Sequence, residues 1–158
     1  MRVKFSFPVG IEEIYALLTD PDFLVDRNIA LGDVESECEA EETASGILIK
    51  MNRTRELDMP AFLSSVLGGN PIFHTEEQWR TVWDRYGGSS KTTVGSHPGT
   101  VHTTFTLYPD ETGCVYEISH DAKMNIPLVG RKVEQYIVKK AAEDLKKEMD
   151  YLRSELRL

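Results

Sequence analysis

The segment CVYEISHDAKMNIPLVGRKVEQYIVKK, residues 114–140, restricts the fold more than any other part of the sequence. Residues 114–126 alternate, with apolar side chains and His120 on one face, which predicts a half-buried strand. Pro127 cannot donate to a strand ladder and suits the first turn of a helix. Apolar residues then recur every three or four positions up to Leu156, which predicts a helix of roughly 40 Å at 1.5 Å per residue. So short a joint predicts that the helix turns back across the sheet that the chain has just left.

The remainder of the chain supplies a sheet for this helix to cover. Two short helical patterns follow the first strand, and period-two alternation then dominates. Residues 59–71 form a short amphipathic segment that suits a lid, and residues 85–99, RYGGSSKTTVGSHPG, are predicted to be a flexible loop. Residues 1–158 are therefore predicted to form a single α+β domain. Its curved antiparallel sheet of about six or seven strands wraps around a long C-terminal helix, with one or two short helices after strand 1.

Composition and charge exclude several classes of partner. The 158 residues carry a formal net charge of -8, and nucleic-acid binding needs a clustered positive surface instead. No apolar run approaches the roughly 20 residues of a membrane span, and the first residues lack the apolar region of a signal peptide. Cys38 and Cys114 are too few for a disulfide scaffold. We expect a cytoplasmic monomer or homodimer with no nucleic-acid partner and no stable membrane insertion.

Motifs for metal, phosphate or nucleophilic chemistry are missing from the sequence. It contains no G-x-S-x-G, H-E-x-x-H or C-x-x-C. The stretch GGSSKTT departs from a phosphate-binding loop, because Ser90 rather than glycine precedes Lys91 and a strand is expected to follow. The four glutamates between residues 35 and 41 alternate onto one strand face, which is typical of a solvated edge. We therefore predict no metal and no cofactor.

Several polar residues fall on apolar faces and are the most informative side chains. His120 shares a face with Tyr116 and Ile118, and Arg55 continues the apolar face of residues 47–51. A buried charge is costly without a partner, so such groups are either paired internally or placed to meet a ligand. The first alternative is an internal Arg–Glu pair and a hydrogen-bonded core histidine, and the second is a ligand pocket.

The pocket interpretation assigns both an apolar wall and orienting polar groups. It places Trp79 and Trp83 inward, which brings Glu77 and Thr81 inward with them. No catalytic residue is assigned, although His120 and Glu77 are the weak candidates, and His120 with Glu77 or Tyr116 is the best candidate acid–base pair. The candidate ligand-binding residues are Arg55, Phe62, Glu77, Trp79, Thr81, Trp83, Phe105, Tyr116, Ile118, His120, Ile137 and Ala141.

The order of elements resembles the helix-grip fold of the START, polyketide-cyclase and plant-pollen-allergen superfamily. The segment AKMNIPLVGRKVEQYIV is similar to the closing strand and helix start of a bacterial family, domain-of-unknown-function family 2505. The segments LTDPDFLVDRNIALG, MPAFLSSVLG and EEQWRTVW also resemble that family. The family implies no particular activity. The wider superfamily implies a cavity for hydrophobic ligands such as lipids, sterols or polyketides, and some of its members are cyclases or hydratases.

Three functions are consistent with these patterns. The first is a non-enzymatic carrier or sensor of a hydrophobic small molecule, which requires a cavity lined mainly by apolar and aromatic atoms. The second is a cyclase or hydratase, which requires an acid and a base that meet inside the cavity. The third is a protein-interaction module, which requires an exposed apolar patch of a few hundred Å².

Overall fold

A computed structural model describes residues 2–95, 97 and 99–158. The elements in chain order are β1 (Arg2–Phe7), α1 (Ile11–Leu18), α2 (Pro21–Ala30), β2 (Asp33–Glu42), β3 (Gly46–Arg55), α3 (Ala61–Leu67), β4 (Ile72–Val82), β5 (Arg85–Val94), β6 (Thr100–Pro109), β7 (Cys114–Lys123) and α4 (Gly130–Glu155). None of the helices in these ranges is long and apolar enough to cross a membrane.

The seven strands form one antiparallel sheet in the order β1-β7-β6-β5-β4-β3-β2. Strands β2 to β7 are therefore a meander, and β1 returns to pair with β7. The two short helices lie between β1 and β2, and the long α4 follows the last strand. This arrangement confirms the predicted α+β helix-grip fold.

Two apolar clusters form the core, and α4 contributes to both. Leu145, Met149 and Leu152 of α4 belong to the first cluster, together with residues of α1 and α2 and aromatic side chains of the sheet. Val133 and Ile137 belong to the second cluster, which contains α3. The spacing of three or four residues that predicted the helix therefore marks the face that it buries.

The joint between β7 and α4 is longer than the sequence suggests, because it spans residues 124–129. The strand ends at Lys123 rather than residue 126, and Pro127 lies in a turn before the helix instead of in its first turn. The side chain of Glu134 in α4 accepts a hydrogen bond from the backbone N–H of Met124 at 2.9 Å. A β-carbon on Gly130 would lie 2.7 Å from the carbonyl oxygen of Met124, so the close approach requires glycine there.

One predicted element is wrong. Residues 85–94 are the central strand β5 and not a loop, while Ser96 and Pro98 of the predicted loop lie outside the described residues. The strand is rich in glycine, serine and threonine, so its alternation carries little apolar signal. It forms because β4 and β6 both present backbone groups for pairing, which overrides the weak local preference.

Candidate functional site: a cavity between the sheet and the C-terminal helix

A cavity of about 190 Å³ lies between the sheet and α4. Its lining draws on both apolar clusters, with Leu24 and Trp79 from the first and Leu67 and Val101 from the second. The predicted site residues that line it are Arg55, Glu77, Trp79, Phe105, Tyr116, Ile118, His120, Ile137 and Ala141.

Three of the predicted site residues lie elsewhere. Trp83 is 94% exposed, because it sits in the turn between β4 and β5 with a positive φ of 62°, where strand alternation no longer applies. Thr81 is exposed near the same end of β4. Phe62 is half-buried and packs against the second cluster. The expectation that these side chains contact the cavity is therefore wrong for Trp83, Thr81 and Phe62.

Four polar residues of neighbouring strands form a continuous line across the cavity floor, which we call the polar row. Glu77 pairs with Ser90, Ser90 with Thr103, and Thr103 with His120. All four residues line the cavity. Because neighbouring strands are about 4.8 Å apart, the two ends of the row are separated by roughly 14 Å along the sheet.

An apolar row lies beside the polar row. It joins Trp79, Gly88, Phe105 and Ile118 on the same four strands. The rings of Trp79 and Phe105 approach to 4.4 Å between centroids, at an interplanar angle of 46°. A β-carbon on Gly88 would lie 2.8 Å from the Phe105 ring, so the missing side chain gives that ring its place. The two rows give the cavity floor one polar and one aromatic half.

His120, at one end of the polar row, uses one of its two ring nitrogens in a hydrogen bond to another described residue. Its Nδ1 lies 2.8 Å from the hydroxyl oxygen of Thr103. Its Nε2 is buried and has no hydrogen-bond partner among the described residues. Burial lowers the pKa of the imidazole below its ordinary value of 6.5, although the negative charge of Glu148 opposes this effect. The ring is therefore mainly neutral at pH 7.

Glu77, at the other end, is a carboxylate with a weakened preference for ionisation. Burial raises its pKa from 4.5 to about 6. The hydrogen bond that Trp79 Nε1 donates to it at 2.9 Å and the positive charge of Arg27 both lower the pKa, and the charge of Glu148 raises it. Burial is the largest of these effects, so the carboxyl group titrates close to neutrality.

A group of paired charges, which we call the ion cluster, closes one side of the cavity. Asp33 at the start of β2 accepts two hydrogen bonds from Arg53, at 2.7 and 3.0 Å. Arg55 forms an ion pair of 2.8 Å with Asp144 and a longer one of 3.5 Å with Asp33. These contacts connect β2 and β3 to α4 through buried or half-buried charges.

The α4 side of the ion cluster is a stripe of charges spaced by four residues. Lys140 lies 3.2 Å from Asp144, and Glu148 lies 3.5 Å from Arg53 and 3.7 Å from Arg27. No role was assigned to Lys140, Asp144 and Glu148 from the sequence. Their spacing was a visible signal, but a regular charged stripe on a helix is also typical of a solvent-exposed face. Arg27 was missed because its partners lie on distant elements.

The geometry limits what acid–base chemistry the cavity could support. Glu77 and His120 are separated by three strand spacings, about 14 Å, and Tyr116 lies four residues from His120, about 13 Å along β7. These backbone separations are far longer than a hydrogen bond between side chains, which is about 3 Å. In each of the two candidate pairs, His120–Glu77 and His120–Tyr116, the acid and the base would therefore act on different atoms of a substrate. Within the described ranges, no group of three or more histidine, cysteine or carboxylate residues is arranged to hold a metal ion.

Known proteins that resemble this chain have a fold that agrees with the one described above. The sequence profile of the family described as protein of unknown function, DUF2505, matches residues 2–156. No curated protein matches the chain. A START superfamily protein from Mycobacterium smegmatis is similar in structure, with a TM-score of 0.64, 14% identity and coverage of 99% of this chain and 97% of that one.

Two further solved structures have the same fold. TTHA0849 from Thermus thermophilus has a TM-score of 0.65 and 17% identity, over 98% of this chain and 94% of its own. Ara h 8.0201 has a TM-score of 0.56 and 16% identity, over 98% of this chain and 97% of its own. At these identities the likeness concerns the fold alone.

Proposed function

This chain belongs to the DUF2505 family of proteins of unknown function, and we propose that it binds a hydrophobic small molecule in the cavity between the sheet and α4. The main observation behind the proposal is the cavity itself, in which Trp79 and Phe105 form the aromatic half of the floor. Close packing normally leaves few voids larger than a water molecule in a protein interior. A space of about 190 Å³ at the centre of this fold therefore suits a ligand.

The volume favours a small ligand. Pockets for drug-sized molecules are usually about 300–1,000 Å³, whereas an apolar cavity of about 150 Å³ holds a benzene molecule. A lipid, sterol-like or polyketide-like ligand would have to widen the cavity or leave part of its length outside. Leu57, Tyr136 and Lys140 are half-buried lining residues and would form the rim in that case.

Native mass spectrometry of the purified protein, combined with thermal shifts over a panel of aromatic, lipid and polyketide compounds, tests the proposal. We expect a retained small molecule, or a rise in melting temperature with part of the panel. The absence of both would contradict the proposal.

Two neighbouring alanines of α4 provide a matched pair of variants. Ala141 lines the cavity, whereas Ala142 lines a separate open groove between α4 and Ala122 of β7. Ala141→Phe should fill the cavity and abolish the retained mass or the thermal shift. Ala142→Phe should leave both unchanged. Equal behaviour of the two variants would place the ligand outside the cavity.

A second candidate function, a hydratase- or cyclase-type enzyme, is favoured by one observation. The pKa of Glu77 is raised to about 6 and that of His120 is lowered, which gives the cavity a carboxyl group that titrates near neutrality and a neutral imidazole. An assay for hydration of α,β-unsaturated carbonyl compounds tests this second function. The loss of the substrate's ultraviolet absorbance measures the rate. Glu77→Gln and His120→Leu should each lower the rate about 100-fold or more. Turnover that survives both substitutions would remove these residues from the mechanism.

A further inference from the structure

The second ring nitrogen of His120 indicates the chemistry of the ligand. Of the buried side-chain nitrogen and oxygen atoms in the described residues, only Nε2 of His120 has no hydrogen-bond partner. Leaving such a group unsatisfied is costly, and the large majority of buried polar atoms have a partner. His120 lines the cavity and its Nε2 is itself buried, so a molecule in the cavity would supply that partner once the ring or its neighbours move to expose the nitrogen.

A neutral oxygen is the group that fits this nitrogen. With a neutral ring, Nε2 either donates or accepts, depending on whether Nδ1 accepts from or donates to the Thr103 hydroxyl. A ligand hydroxyl can serve either tautomer, and a ligand carbonyl can serve the one in which Nε2 carries the proton.

The charges of the cavity argue against a carboxylate ligand. Arg53, Arg55 and Lys140 each already lie within 3.5 Å of a carboxylate oxygen of the protein, and Arg27 lies 3.7 Å from one. These four cations face the four carboxylates Asp33, Glu77, Asp144 and Glu148. A bound carboxylate would have to displace one of these protein carboxylates from its cation. The displaced protein carboxylate would then stay buried without a partner, which is costly.

The neighbours of His120 on β6 and β7 that face the same side of the sheet are apolar apart from Thr103. In the sheet register, Ile118 and Phe105 lie on one side of the His120–Thr103 pair, and Ala122 and Val101 lie on the other. All of these except Ala122 line the cavity. A ligand whose oxygen meets Nε2 therefore places its remaining atoms against apolar side chains.

On the basis of the proposed binding function, we infer that the ligand is a neutral molecule about the size of one substituted aromatic ring, whose hydroxyl or carbonyl oxygen bonds to Nε2 of His120. His120 is then the residue that separates such molecules from pure hydrocarbons of the same shape.

Phenol, toluene and benzoate are suitable probes, because phenol and toluene differ only in a hydroxyl and a methyl group. Binding of each to the full chain is measured by calorimetry. We expect phenol to bind at least as tightly as toluene, and benzoate to bind at least 100-fold more weakly than phenol. In His120→Leu, phenol affinity should fall roughly tenfold to 100-fold, because its hydroxyl would be buried without a partner, while toluene affinity should change less than about threefold.

Two further variants keep the test interpretable. His120→Gln retains a polar group in reach of the same position and should restore part of the phenol affinity. His102→Leu, at an exposed histidine of β6, should change nothing. Melting curves of all variants check that they fold. If His120→Leu does not fold, the phenol and toluene affinities of His120→Gln are compared with those of the unmodified protein instead.

The possible failures are distinct. Benzoate binding as tightly as phenol, or phenol affinity unaffected in both His120 variants, would overturn the inference and leave the proposed function standing. Binding of a long-chain lipid without binding of any single-ring probe would also overturn the inference and leave the proposed function standing. If neither the probes nor any compound of the wider panel binds, the proposed function fails as well.

Discussion

Replacing Glu77 by glutamine should stabilise the protein at neutral pH but not at acidic pH. Burial raises the pKa of this carboxyl group from 4.5 to about 6 in the folded protein. A folded-state pKa above the unfolded value means that protonation favours folding. The contribution of Glu77 is therefore most favourable below pH 4.5 and is lost as the pH rises through 6.

The expected size of the effect follows from that shift in pKa. A rise from 4.5 to about 6 corresponds to roughly 2 kcal/mol at 1.36 kcal/mol per pKa unit. Glutamine has no charge to lose or gain, and its carbonyl oxygen can still accept the hydrogen bond that Trp79 Nε1 donates. The unfolding free energy of Glu77→Gln minus that of the unmodified protein should thus increase by about 2 kcal/mol between pH 4 and pH 8.

Urea unfolding followed by circular dichroism, repeated at intervals across this pH range, measures the difference. Glu76→Gln is the matched control, since Glu76 is the preceding residue on the same strand and its side chain is exposed. The control difference should stay constant within about 0.5 kcal/mol. A difference for Glu77→Gln that is equally flat would refute the reasoning. A difference that falls with pH would mean that Arg27 and Trp79 stabilise the carboxylate more than burial penalises it.

Three other substitutions test the arrangement around the cavity. Gly88→Ala should destabilise the protein by about 1–3 kcal/mol in urea unfolding, because its β-carbon would collide with the carbonyl oxygen of Gln78. In the control Gly87→Ala, the nearest contact of the β-carbon would be 3.7 Å, so the loss of stability should be much smaller. Equal losses of stability would contradict this packing. Asp33→Ala should cost about 3–5 kcal/mol because it removes both short contacts between a buried carboxylate and the half-buried Arg53. A loss below about 1 kcal/mol would show that the pair is solvated. Trp83→Phe should remove nearly all acrylamide quenching of tryptophan fluorescence, because Trp79 has an exposed fraction of 0%; strong residual quenching would mean that Trp79 is accessible.

The fold could be predicted from the sequence because its two longest elements have unambiguous periods. Alternation through Cys114–Lys123 indicated which side chains of β7 face the core, and the apolar stripe from Val133 to Leu152 indicated which face of α4 covers them. Both features are local, and each describes one element at a time. The predicted inward residues Tyr116, Ile118 and His120 do line the cavity for this reason.

The candidate site was predicted less well because its polar residues depend on partners that are distant in sequence. Arg53 and Glu148 are 95 residues apart, so the pattern of α4 alone could not show that its charged stripe faces β3. Trp83 has the spacing of an inward strand residue, yet β4 ends one residue earlier, at Val82. Strand β5 acquires its conformation from two neighbours instead of its own side chains.

The sequence by itself determined the order of the elements apart from β5, and the buried faces of β7 and α4, since both depend on periodicity along the chain. Only the tertiary structure decided that buried charges pair across the cavity, that one nitrogen of His120 has no partner among the described residues, and that about 190 Å³ is left between sheet and helix. A void and an ion pair are both properties of surfaces that meet. Their existence depends on how side chains from several elements fit together, which no single stretch of sequence specifies.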